Sequence, residues 1–562
     1  MTEMAGLQRA LSALYAQRRG LEVVGENVAN ANTDGYSRQS VNLQEISGPS
    51  VPSIWSKYDG VGSGVKVADI TRFRDQFLEI RSALEHGASG QLGKVSNTLS
   101  QLETLFGEPS DTGIQSQLTQ VWTGFDDVAN APSDIAARTQ LLQRATTLAN
   151  TINSTAAAIT SMSKSAVSEL TALTANVNAK AGTVAQLNDA IKNRLVNGLS
   201  ANDLLDQRDK LASELAGQIG ATIRPGTDGQ VTLAVGGTAL VYGSHAETLD
   251  VDSSNPTVVL RWHKDNFPAA VSSGEAGGLM QVVNQTLPQY LSGLDAIAVH
   301  LRNDVNGLHN SIGGGIAATA QNQSAAGNLT FQLALNGGAY ATATVAGADW
   351  SGAGGAAALQ TALQTSVNAA VGAGNATVTV TGGSGQPLKV SLVPTGTNKV
   401  LIQASAGNAG FATLLGSTAV GLDGIGGRDF FSGTNAATFS VSSAVAGNTS
   451  AVAAGTVGNG PLDNSVALQA AELGGATAGA DAQYRAYIVS MGVDSQTTQQ
   501  RDSIQQKTTD AIDNQRDSNA SVNTDEEMVN LVAFQRGYEA SARVMTTIDE
   551  MLNTLINNTG VR

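Results

Sequence analysis

The side chains in this sequence with the greatest chemical potential are few and scattered. The five histidines, His86, His245, His263, His300 and His309, form no HExxH motif and no i, i+4 pair of the kind that holds zinc on a helix. No GxSxG elbow, GxxxxGK[ST] loop or EF-hand loop occurs, and Gly60, Gly62 and Gly64 sit outside any strand–turn–helix context that would hold a dinucleotide. Cysteine is absent, which removes thiolate metal sites, iron–sulfur clusters, disulfides and cysteine nucleophiles together. Asp525, Glu526 and Glu527 are adjacent carboxylates. A general acid and base must converge on a cleft, however, and three consecutive acids opening a helix suit the macrodipole and capping instead. The residues therefore predict no enzyme, no metal and no cofactor.

Composition narrows the remaining classes. The chain has 562 residues, which at about 150 residues per domain argues for three or four structural units. Hydrophobic residues at 41% allow sizeable cores, whereas aromatics at 4% predict lean ones. A net charge of −15 repels phosphate backbones and anionic lipid, so no nucleic acid and no membrane surface is expected as partner. No run approaches 18 strongly apolar residues, and Gln8 and Arg9 interrupt the place where a cleavable signal needs an apolar stretch. Neither a membrane anchor nor an ordinary secretion signal is expected.

The elements follow from periodicity. Leu7, Leu11, Leu14, Leu21, Val24 and Val28 mark one face of a helix that ends near Asn30, where Asn32 to Gly35 supply turn chemistry. Short extended pieces follow, leading into a helix near Arg74. The residues from Gly107 to Gly113 break the helix, and Pro132 marks a boundary. From Ser133, read as an N-cap, the pattern predicts one helix to about Asn197, on the order of 90 Å long. In it Ile152, Ile159, Ala166 and Leu173 recur every seven residues, as do Leu170, Val177, Val184 and Ile191, the repeat of helices packed side by side. A shorter helix runs from Leu204 to about Ala216.

Residues 220–270 read as a small β unit, with Val231, Leu233 and Val235 alternating ahead of Gly236 and Gly237 in a hairpin pattern. Helical spacing returns at Leu279 to Leu308. Residues 313–460, rich in Gly, Ala, Ser and Thr, read as an insertion. Its order is a hairpin turning at Asn336 to Gly338, an alanine-rich helix from Ala356 to Val371, and a second hairpin. Beyond Leu462 the chain is helical again. Thr524 with Glu527 fits a capping box, followed by a face of Met528, Leu531, Tyr538, Ala542, Met545, Leu552 and Ile556.

The fold class predicted is thus mainly α with β-rich insertions. Residues 1–40 and 522–562 form terminal amphipathic helices; residues 41–219, 271–312 and 461–521 form a helical body resembling a coiled-coil bundle; residues 220–270 form a small β unit; and residues 313–460 form an outer α+β domain. A stripe at each extreme end, without a domain of its own, predicts that the ends pack on each other or on neighbouring copies. Because isolated amphipathic helices are marginal in water, the two stripes are expected to be loosely ordered until assembly.

The segment NVANANTDGYSRQSV, Asn27 to Val41, resembles the N-terminal signature shared by bacterial flagellar rod, hook and hook-associated proteins, with Asn27, Asn30, Thr33, Gly35 and Tyr36 in the matching places. The C-terminal segment from Val522 to Ile556 is similar to the closing helix of the same group, at Asn530, Leu531, Gln535, Tyr538, Ala540 and Asp549. Between them, SRQ at Ser37 to Gln39, LFGEPSDTGI at Leu105 to Ile114, LLDQRDKLASEL at Leu204 to Leu215, and SGEAGGLM with LPQYLSGLDAIA within Ser273 to Ala298 are similar to the hook-associated proteins of the hook–filament junction.

The resemblance implies a structural subunit of the extracellular flagellum, secreted through the flagellar type III export channel and built into a homo-oligomeric junction ring. Its implied partners are the hook protein, a second junction protein on the filament side, and an export chaperone on the C-terminal helix. Assembly is then expected to use Leu7, Leu11, Leu14, Leu21, Val28, Asn27, Asn30, Thr33, Gly35 and Tyr36 at one end. At the other it would use Met528, Leu531, Gln535, Tyr538, Met545, Leu552 and Ile556. The rival readings are a hook or rod subunit and, from another class, a secreted adhesin-like binding protein.

Overall fold

The helical periodicities are realised almost element for element. A computed structural model describes residues 2–46, 62–226, 228–309, 316–320, 328–335, 341–351, 354–383, 386–395, 400–404, 429–455 and 462–558. In chain order the helices are α1 (Thr2–Ala29), α2 (Gln76–Phe106), α3 (Ile114–Asn130), α4 (Ile135–Val196), α5 (Asn202–Ile219), α6 (Gly274–Gln281), α7 (Leu287–His309), α8 (Gly355–Val371), the single turn α9 (Ser443–Ala446), α10 (Ser465–Glu472), α11 (Ala480–Ala520) and α12 (Thr524–Asn558). The chain divides into two units, one of Met1–Thr98, Lys164–Thr286 and Gln496–Arg562, the other of Leu99–Ser163 and Leu287–Ser495.

In the first unit the sequence after α1 forms an antiparallel hairpin of β1 (Gln39–Glu45) and β2 (Val65–Arg72), with Gln39 opposite Arg72 and a bulge at Asn42/Leu43. Asp75 starts α2, its Oδ1 accepting from the Phe77 amide at 2.8 Å. The part of α4 in this unit buries Leu170, Val177, Val184 and Ile191 completely, every seventh residue as the repeat predicts, while Leu173 is half-buried. The expected β unit is a four-stranded antiparallel sheet of β3 (Thr222–Pro225), β4 (Val231–Val235), β5 (Thr238–Tyr242) and β6 (His245–Ala246), followed by the pair β7 (Leu249–Asp252) and β8 (Val259–Trp262). Gly236 and Gly237 turn β4 into β5 with φ of 56° and 89°, the two consecutive left-handed residues that a tight hairpin demands and that side chains with a Cβ resist.

Asparagines on α4 and on the π-helical turn Val282–Thr286 between α6 and α7 hold the strands. Asn188 Nδ2 donates to the Val231 and Gly243 carbonyls at 2.8 and 2.9 Å, and its Oδ1 accepts from the Val231 amide at 3.1 Å. Asn178 does the same with Leu249, at 2.8 and 2.9 Å, and Asn284 with Val258, at 2.7 and 2.8 Å. Each side-chain amide thereby completes the backbone of a residue at or next to the start of a strand, where the ladder leaves a donor and an acceptor open.

The second unit contains α3, the first part of α4, α7 and the β-rich insertion. Its helix α4 is capped by Asp134, whose Oδ1 accepts from the Ala136 amide at 2.8 Å. The cap expected at Ser133 therefore moves one residue along, because the helix begins at Ile135. Ile152 and Ile159 are fully buried. The scarce aromatics are concentrated: Phe125 lies 5.2 Å from Phe430, Phe430 4.8 Å from Phe431, and Phe431 4.7 Å from Phe439, while Phe106 and Tyr290 meet Tyr487 at 5.5 and 5.9 Å. Asn306 repeats the asparagine clasp on Phe431, at the start of β15 (Phe431–Ser432), donating to its carbonyl at 2.7 Å and accepting from its amide at 2.8 Å.

Within the insertion two three-stranded sheets form. One has the order β11 (Ala341–Val345), β10 (Leu329–Leu335), β14 (Val400–Ala404); the other β12 (Ala376–Gly383), β13 (Gln386–Pro394), β9 (Ile316–Ala320). The helix α8 buries Leu359, Leu363, Val367 and Val371 in one core with Leu329, Trp350 and Val378. Both hairpins and the helix between them are as the sequence predicts; the first hairpin's turn at Asn336 to Gly338 lies outside the described residues.

Candidate assembly site

The two chain ends meet in the first unit. Helix α1 packs antiparallel on α12 through a stripe that includes Gly6, Gln17 and Gly20, and Ala10, Ala16, Gly20, Val23 and Val24 of α1 are buried. Gly20 lies under the Phe534 ring, where an added Cβ would stand 2.5 Å from the ring carbons, and Gly6 lies against Ile548. This face is adjacent to the one that apolar periodicity picks out. Leu7, Leu14 and Leu21 are half-buried, and Leu11 and Val28 are exposed. On α12, Leu531, Met545 and Leu552 are half-buried, whereas Met528, Gln535 and Tyr538 are exposed; the Ile556 side chain lies outside the described residues. The expectation that the ends pair only on assembly is corrected in one respect: in the single chain they are already paired, because close small-residue packing and a buried polar anchor give α1 tertiary support that an isolated helix lacks. Gly20→Val is expected to lower the stability of this pair by about 1–3 kcal/mol by overpacking, read as a lower melting temperature for its share of the helical signal.

The anchor lies at the base of the pair. Asn27 is fully buried; its Nδ2 donates to the Gln39 carbonyl at 2.9 Å and to Glu527 Oε2 at 3.0 Å, and its Oδ1 accepts from the Tyr36 hydroxyl at 2.9 Å and the Gln39 amide at 3.0 Å. Burial, with the Glu26, Asp206 and Glu527 carboxylates nearby, raises the Tyr36 phenol above its ordinary value, so it stays a donor. Arg38 donates to Glu527 Oε1 at 2.8 Å, pairs with Glu526 at 2.8 Å and covers the Phe73 ring at 5.2 Å. Glu527 therefore does not close a capping box with Thr524. Asn523 caps α12, its Oδ1 accepting from the Asp525 and Glu526 amides at 3.0 and 3.4 Å, which leaves Glu527 to turn inward.

Beside the anchor stands a turn and an ionic cluster. Asn30 Oδ1 accepts from the Thr33 hydroxyl at 3.1 Å, the Tyr36 amide donates to the Thr33 carbonyl at 3.1 Å, and Gly35 takes φ 83°. Ser37, fully buried, bonds Asp206 through its hydroxyl at 2.8 Å. Arg72 pairs with Asp206 and Asp209 at 2.7 and 3.0 Å, Arg74 with Asp209 at 2.6 Å, and Arg208 with Asp209 at 2.5 Å. A surface cavity of about 650 Å³ opens beside the turn, lined in part by Thr33, Lys210 and Arg516.

Asn27, Asn30, Thr33, Gly35 and Tyr36 are thus brought together, with Ser37 and Arg38 added. The partners on the far side, Asp206, Asp209 and Glu527, are not readable as partners in sequence; the signal was that SRQ and LLDQRD are two of the segments by which the chain resembles one group. Among the described residues no cluster of three His, Asp or Glu could hold a metal, and no helix is long and apolar enough to cross a membrane.

This architecture has known counterparts. Residues 99–316 match the family described as Flagellar hook-associated protein FlgK helical domain. Residues 7–36 match Flagella basal body rod protein, and residues 514–558 match Flagellar basal body rod FlgEFG protein C-terminal. Flagellar hook-associated protein 1 of Bacillus subtilis is 26% identical over 99% of this chain and 98% of its own length. The same-named protein of Escherichia coli is 27% identical over 98% and 99%. Over nearly its whole length the chain is similar to flagellar hook-associated proteins. A solved structure, that of the flagellar hook junction protein FlgK from Burkholderia pseudomallei, shares the fold, with a TM-score of 0.50 and 18% identity over 78% of this chain and 99% of that one. The chain is a structural component of the flagellum, and its relatives are structural proteins rather than enzymes. The terminal pair just described coincides with the two segments that match rod-protein families.

Proposed function

We propose that this protein forms the junction between hook and filament, as a ring of identical subunits outside the cell, reached by flagellar type III export. The observation that carries the reading is the paired ends: α1 and α12 join while Leu7, Leu11, Leu14, Leu21 and Val28 stay half-buried or exposed along the flank of the pair. A helix with a second apolar stripe outside its own pair suits packing on neighbouring copies and on axial partners, the hook protein on one side and a second junction protein on the other. The terminal pair would line the tube, residues 313–460 would face outward, and an export chaperone would hold α12 before assembly.

The test is deletion of the gene in its own host, with electron microscopy of the cell surface and assay of flagellin in the medium. Hooks lacking filaments, with flagellin shed outside, are expected. Cells lacking hooks would assign the chain to hook or rod, and cells with intact flagella would end the proposal.

A further inference from the structure

Helix α1 carries two stripes one residue apart. The inner stripe, including Gly6, Ala10, Ala13, Gln17 and Gly20, faces α12; the outer one holds Leu7, Leu11, Leu14 and Leu21. On buried apolar area alone α12 would gain more by lying on the leucines. It lies instead on the poorer stripe, so another interaction must set the rotation. The contacts that fix it share one antiparallel register, their residue numbers adding to 554 in each case: Gly6 with Ile548, Gln17 with Gly537, Gly20 with Phe534, and Asn27 with Glu527. Three of these four seat a glycine against a larger side chain, which lets the two backbones approach closely. The fourth is a buried carboxylate, 2% exposed, held by Asn27 and Arg38. Turning α1 by one residue toward its leucines would swing Asn27 away from Glu527 and leave that charge buried with half its partners, the arrangement that low-polarity surroundings penalise most.

We propose that Glu527 is a positioning residue: together with Asn27 it holds α12 on the small-residue stripe of α1 and so keeps the leucine stripe turned outward. The choice of assembly face is then made by close backbone approach together with this polar contact, against the hydrophobic preference. This deepens the assembly reading above, but its test is intramolecular and stands whether or not the chain polymerises.

The absence of cysteine makes the rotation measurable. Two reporter pairs, Gln17→Cys with Gly537→Cys and Arg18→Cys with Gly537→Cys, are oxidised at low protein concentration in otherwise unaltered full-length chain, and monomeric cross-linked product is quantified. With Glu527 present the first pair is expected to dominate. Glu527→Leu is expected to shift the ratio toward the second pair by at least about tenfold, because removing one partner of a buried pair is strongly destabilising. Glu527→Gln, which keeps the shape and the bond to Asn27, is expected to fall between. An unchanged ratio in both variants would overturn the proposal. So would loss of both cross-links in Glu527→Leu with an unchanged ratio in Glu527→Gln, since Glu527 would then hold the helices together without choosing their faces.

Discussion

Asp209→Ala is expected to cost about 3–5 kcal/mol of unfolding free energy at neutral pH, the range for breaking a buried ion pair by removing one partner. Asp209 sits among three guanidinium groups: its Oδ2 accepts from Arg72 and Arg74, and its Oδ1 from Arg208 through Nε at 2.9 Å and through NH2. The side chain of Arg208 is only 6% exposed, so the variant confines three cations with one fewer anion, and Asp206 alone remains to answer Arg72. Urea unfolding followed by helical circular dichroism measures the loss. Its pH dependence supplies a second readout. Burial pushes the Asp209 carboxyl up, but Arg208, Arg74 and Arg72 outweigh it and hold the group below its ordinary value. A folded value below the unfolded one means that the unfolded chain binds the proton more readily. The stabilisation is therefore present above about pH 4, the unfolded carboxyl value, and is lost as pH falls through the folded one. The gap between the parent chain and Asp209→Ala should narrow in acid; a gap as wide at pH 2 as at pH 7 would refute the ionic account.

The second large effect is expected in the other unit. Phe125→Ala should cost about 3–5 kcal/mol, the usual range for emptying a buried aromatic site. Phe125 is fully buried between Trp122, at 6.3 Å, and Phe430, at 5.2 Å. Through Phe430 it reaches Phe431 and Phe439, so one ring ties α3 to the strand pair near residues 431–441. Phe125→Leu should cost about 1.5 kcal/mol or less if volume is what the site requires. Near-ultraviolet dichroism and Trp122 fluorescence report the packing directly; equal losses in the two variants would show that ring geometry, not filled volume, carries the site.

Much of this fold was legible because helices advertise their period. The stripes at Val95 to Phe106, Ile114 to Val128 and Leu170 to Ile191 each became a helix with those residues largely inside. So did the hairpin, helix, hairpin order of the insertion. The rotation of α1 was not legible: leucines at 7, 11, 14 and 21 outweigh alanines and glycines in any apolar pattern, while the packing face is chosen by how closely a backbone can approach Phe534 and by a carboxylate 500 residues away. Glu527 three residues after Thr524 has the spacing of a capping box, and only the neighbouring Asn523 shows that the cap is supplied elsewhere. The aromatic core was hidden for a different reason. Its rings are spread from Phe106 to Tyr487, and a low overall percentage says nothing about convergence.

The asparagines that complete strand starts have a consequence beyond holding sheets to helices. A strand end with an open amide and carbonyl is a template on which a second chain can extend a ladder, and identical chains crowded at a growing tip are the most available templates for one another. Asn178 and Asn284 each occupy such a template, at the two-stranded pair of β7 and β8, with a side chain from the same molecule. Strand-to-strand growth from these two ends, which has no defined limit, is thereby capped from within the chain.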